Sequence, residues 1–126
     1  MRNRARSFLY TTGLPPGTLA AAITALEMIE SDVDLVSKPL NHASRFAEAV
    51  GLPAPQSPNV TNMLGDVKST LQASKKLEEH GFLVIPIRPP TVPEGTSRLR
   101  CTFSAAHTDQ DIARFAAAVT EVLETL

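Results

Sequence analysis

Phe82-Leu83-Val84-Ile85-Pro86-Ile87 is followed by Arg88-Pro89-Pro90-Thr91-Val92-Pro93-Glu94-Gly95-Thr96-Ser97 and then by Arg98-Leu99-Arg100-Cys101-Thr102-Phe103. The first stretch is rich in β-formers and bounded by turn residues, which predicts a strand over 82–87. The second holds three prolines and a glycine, which remove backbone donors and restrict φ, so it reads as an irregular loop. In the third, Leu99, Cys101 and Phe103 alternate with Arg98, Arg100 and Thr102. That period of two predicts a half-buried strand with both arginines on one face and the thiol on the other.

The flanks supply helices. Downstream, Thr108-Asp109-Gln110-Asp111 resembles a capping box with Asp in place of Glu, leading into Ile112, Phe115, Val119, Val122 and Leu123 at helical spacing. Upstream, Val60 to Leu64 reads as a short strand ended by Gly65-Asp66. Val67, Leu71, Ser74 and Leu77 follow as a helix to His80, with Gly81 at its C′ position. Gly51 to Pro58 carries three prolines and reads as an extended connection. Two further helical patterns precede it: Leu19, Ala22, Ile23, Leu26 and Ile29 behind Pro15-Pro16, then Val36, Leu40, Ala43, Ala47 and Val50. The order α-α-β-α-β-loop-β-α predicts an α/β arrangement, a short sheet packed with helices.

Composition narrows the function. The chain has 126 residues, of which 43% are hydrophobic and 20% charged, the profile of a globular domain. Its net charge of −1 argues against a nucleic-acid binder, which needs a basic excess. The longest apolar stretch, Leu19 to Ile29, is broken by Thr24 and Glu27 and is too short to cross a bilayer. Three arginines in the first six residues precede no apolar core of signal-peptide length. The single cysteine cannot pair internally, so a cytoplasmic setting is expected. His42, His80 and His107 lack metal-ligand spacing. His42 and His80 sit in helical patterns and are expected to be partly exposed, and His107 to bond locally beside the helix cap.

Candidate site residues are fewer. A strand arginine beside a stiff loop suits a planar grip on a carboxylate, although solvated charge on an outer sheet face is the commoner fate of such residues. Cys101 is expected to face the apolar side as a small hydrophobe, without the positive partner a nucleophile needs. No residue is assigned a catalytic role.

Ile87 to Arg100, continuing through Phe103-Ser104-Ala105-Ala106-His107-Thr108, resembles the C-terminal signature of the α-oxoamine synthase family of pyridoxal-phosphate (PLP) enzymes. Asn3 to Pro16, including Tyr10-Thr11-Thr12, is similar to the stretch that follows that family's PLP-binding lysine. The resemblance implies the C-terminal small domain of a fold type I PLP-dependent transferase. Residues 1–31 would be the end of the large domain and an inter-domain helix, and residues 32–126 the small domain. It implies a homodimer that condenses an amino acid with an acyl thioester and releases CO2. The Arg88-Pro89-Pro90-Thr91 loop points to the branch that joins L-alanine to a pimeloyl thioester in biotin synthesis. The rivals are branches that use glycine or serine, and a stand-alone, non-catalytic α/β module.

By the same resemblance, Arg100 grips the amino-acid carboxylate, Thr91 contacts substrate, and Thr11 and Thr12 approach the cofactor phosphate across the dimer interface. The family's Schiff-base lysine, ring-stacking histidine and pyridine-pairing aspartate have no counterpart here. Lys38, Lys68, Lys75 and Lys76 stand in helical or loop contexts that do not match the lysine motif. The resemblance therefore implies the C-terminal third of an enzyme, inactive alone. Asn59, Thr61 and Asn62 are more polar than the family's strand at that position.

Overall fold

The structure, a computed structural model, describes residues 13–126. Thr11 and Thr12 lie outside the described residues. The chain divides into two compact units, Met1–Val33 and Asp34–Leu126. The described part of the first is dominated by helix α1 (Pro16–Ser31). Proline fills the opening turn, where its missing N–H costs nothing. The Thr18 and Leu19 N–H groups donate to the Pro15 carbonyl. Its apolar stripe forms as the spacing predicts, yet none of its side chains is buried.

The second unit holds α2 (Val33–Ala49, its residues from Asp34 onward), β1 (Asn59–Gly65), α3 (Val67–Glu79), β2 (Ile85–Ile87), β3 (Ser97–Thr102) and α4 (Asp109–Glu124). The strands form one antiparallel sheet in the order β1-β3-β2. Helix α3 crosses from one edge strand to the other and packs on all three strands and on α4. The core lies between sheet and helices: Val60, Val84, Leu99, Cys101 and Phe103 from the sheet side meet Ala43, Phe46, Ala73, Leu77, Phe115 and Val119. Phe46 stacks on Phe115 at 4.9 Å between ring centres and tilts against Phe103 at 5.1 Å. Burying each such side chain is worth about 1.5–3 kcal/mol.

Local chemistry sets the helix ends. Asp66 caps α3 by accepting from the Lys68 and Ser69 N–H groups at 2.7 and 3.1 Å. Hydrogen bonding from the Ser69 side chain first, then from its N–H, holds the Asp66 carboxyl below the usual range. Gly81, at φ +85°, closes α3, and the Gly81 and Phe82 N–H groups donate back to Glu78 and Leu77, a Schellman motif. Thr108 and Asp111 form the reciprocal capping box of α4. The Thr108 hydroxyl, then its N–H, lower the Asp111 carboxyl.

Three expectations need correction. The strand over 82–87 shrinks to Ile85–Ile87, because the backbone before it serves α3. The Phe82 N–H completes the helix cap, and the Val84 carbonyl accepts from the Ser74 hydroxyl at 2.8 Å. Pro86 is tolerated because β2 is an edge strand. In α2 the buried face is His42, Ala43, Phe46 and Ala47, while Val36 and Leu40 are exposed. The helix meets the phenylalanine cluster only over its second half. His42, expected to be partly exposed, is buried at 7% exposure. Its Nδ1–H donates to the Ser104 carbonyl at 3.1 Å, and its Nε2 lies 3.8 Å from Asp109 Oδ1.

Candidate substrate-carboxylate site

Strand β3 is central, so its two faces differ sharply. Leu99 and Cys101 enter the core, while Arg98 and Arg100 stand on the opposite face. Pairing sets their neighbours: Arg100 lies between Thr61 of β1 and Ile85 of β2, and Arg98 between Met63 and Ile87. Thr61, Met63 and Ile85 are exposed on that face. Farther along it, the Thr102 hydroxyl donates to the Asn59 side chain at 2.8 Å. None of these residues is acidic, so the face combines two guanidinium groups with aliphatic walls. It suits a small anion with an apolar body.

The two arginines are not equivalent. Arg98 is half-buried, and its Nε–H donates to the Thr96 carbonyl at 3.0 Å. Arg100 is exposed, and among the described residues its guanidinium has neither a hydrogen bond nor an ion pair. Successive same-face residues in a strand are about 7 Å apart, so a carboxylate held by Arg100 also feels the charge of Arg98. Thr91 is exposed in the loop between β2 and β3. Its N–H donates to the Arg88 carbonyl at 3.0 Å, closing a turn that contains the cis Pro89–Pro90 bond. No hydrogen bond links Thr91 to Arg100; the arginine tied to the loop is Arg98. Spacing could not separate the two arginines, and the signal it missed was a carbonyl acceptor two residues before Arg98.

The other reactive groups are otherwise engaged. Cys101 is buried, which pushes its thiol up to about 12, so at neutral pH it is a hydrophobe and not a nucleophile. His107 Nδ1 accepts from the Ser104 N–H at 3.1 Å, as its place before the cap suggested. Asp109 pairs with Arg45, which lowers its carboxyl and raises the guanidinium. Lys76 donates to the carbonyl and the hydroxyl of Thr125, both at 3.0 Å. Lys38, Lys68 and Lys75 are exposed. Among the described residues no lysine is enclosed, and no group of three metal-ligating side chains occurs. Among the described residues no helix is long and apolar enough to cross a membrane.

Comparison with known proteins adds the family. The 8-amino-7-oxononanoate synthase of Granulibacter bethesdensis is 54% identical over 123 residues, covering 98% of this chain and 32% of its own length. Sphingomonas wittichii serine palmitoyltransferase superposes with a TM-score of 0.85 at 24% identity, over 98% of this chain and 33% of that one. A serine palmitoyltransferase (SPT) structure holding its PLP internal aldimine gives a TM-score of 0.81 at 24% identity, with the same coverages. At that identity the likeness establishes the α/β fold alone. The chain spans about a third of the length of the relatives it matches. The model of the aminotransferase class I and II family matches residues 1–119, and the chain belongs to that family.

Proposed function

We propose that this chain is the C-terminal part of a homodimeric, cytoplasmic, PLP-dependent α-oxoamine synthase that condenses L-alanine with a pimeloyl thioester. The product would be 8-amino-7-oxononanoate, with loss of CO2, a step of biotin synthesis. One observation carries the reading at this chain's own residues: among the described residues, Arg100 offers an unpaired guanidinium fork on an acid-free sheet face between Thr61 and Ile85. The name carried by the close relative and the Arg88-Pro89-Pro90-Thr91 loop support alanine and the pimeloyl donor over glycine or serine.

Within this reading Arg100 holds the amino-acid carboxylate by a two-point grip. Such a grip fixes rotation about Cα and thus selects which bond is presented for cleavage, so the contribution is orientation and not acid–base work. Thr91 contacts substrate from the loop, and Thr11 and Thr12, outside the described residues, approach the cofactor phosphate. In the complete enzyme PLP supplies the electron sink for breaking a bond at Cα. We place the lysine that holds it outside this chain, since none of the four lysines here stands in a context that matches the family's lysine motif. This part alone is expected to be inactive. The test is a condensation assay of the full-length enzyme with alanine, glycine and serine, each with pimeloyl thioester. Preference for alanine supports the reading; preference for glycine or serine replaces it with another branch of the family, and no turnover with any of them overturns it.

A further inference from the structure

The loop between β2 and β3 closes mostly on itself. The Thr91 N–H donates to the Arg88 carbonyl, and the Thr96 N–H and hydroxyl donate to the Pro93 carbonyl at 3.2 and 2.7 Å. Pro89, Pro90 and Pro93 have no N–H to give. These bonds shape two turns but do not fasten them to the sheet. Among the described residues, the only hydrogen bond reaching residues 89–96 from an outside side chain is the one from Arg98 Nε to the Thr96 carbonyl. At Gly65, where β1 bulges, an added Cβ would stand 3.5 Å from the Gly95 carbonyl oxygen. Gly65 has no Cβ, so that contact is absent and the space there leaves the loop unheld.

We infer that Arg98 is a positioning residue whose Nε–H anchors the Pro93–Thr96 turn to β3 and so sets where Thr91 stands relative to Arg100. The effect on substrate rests on the function proposed above, whereas the anchoring does not. Arginine suits the task because Nε lies within the planar fork, close to the strand, whereas lysine carries its donors only at the tip. The bond is half-buried, and its acceptor is a backbone carbonyl, so it restrains the chain itself.

The experiment uses the full-length enzyme, with Arg98→Gln, Arg98→Lys and Thr91→Val. Amide exchange at Thr91 and Thr96 should accelerate about ten-fold in both Arg98 variants while exchange in α3 and α4 stays unchanged. The substrate KM that Thr91→Val raises should rise about three- to ten-fold in Arg98→Gln, with kcat within about two-fold. On the Thr91→Val background Arg98→Gln should add little, because the arginine acts through that residue. Unchanged loop exchange in Arg98→Lys and Arg98→Gln would overturn the inference. So would full recovery of KM by lysine, which would make Arg98 a mere charge. An Arg100→Ala enzyme with unaltered substrate KM would defeat the proposed function while leaving the exchange result standing. Should the glutamine variant fold poorly, the lysine variant reads the same two quantities.

Discussion

Replacing Arg100 with alanine separates binding from stability, because in the structure the side chain supports nothing. It is exposed and makes no hydrogen bond or ion pair among the described residues, so its loss leaves no orphaned partner. The folding cost should fall within about 0.5 kcal/mol, the usual range for such surface sites. Substrate binding should respond very differently. Hydrogen bonds to charged partners contribute about 1.5–3 kcal/mol each, and exposure on an open face reduces a two-point grip to about 2–3 kcal/mol in total. At about 1.4 kcal/mol per factor of ten, the alanine KM should rise about 30- to 150-fold. A grip made equally in ground and transition states changes KM and leaves kcat near its original value. Arg100→Lys keeps the charge but loses the fork, and should fall between the two. Steady-state kinetics of the full-length enzyme, with thermal melting and cofactor absorbance as controls, reads all three. An alanine KM within two-fold of the original would refute the assignment. A large drop in melting temperature would show that Arg100 is structural.

Two further outcomes concern the core beneath that face. Cys101 has its thiol pushed up to about 12 from 9.0 by burial. Folding therefore favours the protonated form, so its contribution is intact below pH 9 and declines as pH rises from 9 towards 12, by at most about 1.4 kcal/mol per unit. Urea midpoints at pH 7 and 10 should diverge in the original protein more than in Cys101→Ala, and equal divergence would show that the thiol is not responsible. Ser97 is fully buried with an Oγ that has no hydrogen-bond partner among the described residues, so Ser97→Ala should be neutral or stabilising by about 1 kcal/mol. A loss of more than 1 kcal/mol in urea unfolding would reveal a partner for the hydroxyl.

What the sequence disclosed divides by range. The alternation of Leu99, Cys101 and Phe103 with the arginines told which side of β3 is dry, since a strand's period needs no outside information. The Thr108–Asp111 box and the Gly81 cap are equally local, and both form as written. The length of β2 was not legible, because it depends on a Ser74 hydroxyl taking the Val84 carbonyl. Burial of His42 depends on a carbonyl 62 residues away. The stripe of α1 shows the same limit: a period of 3.6 specifies a helix, but not what covers it.

The two arginines differ in what engages them. Spacing made Arg98 and Arg100 interchangeable, and only the returning loop breaks the symmetry, by offering Arg98 the Thr96 carbonyl. A guanidinium with Nε engaged is restrained in rotation, and its stem is drawn towards the loop. Its neighbour two residues on keeps its whole donor set free and stands between a threonine and an isoleucine. Restraint suits a residue that positions, whereas an unengaged fork suits one that waits for a carboxylate. The family resemblance assigns the substrate to the second arginine on motif grounds, and the hydrogen bond that engages Arg98 supports proposing the same residue. An error in one would not carry over to the other.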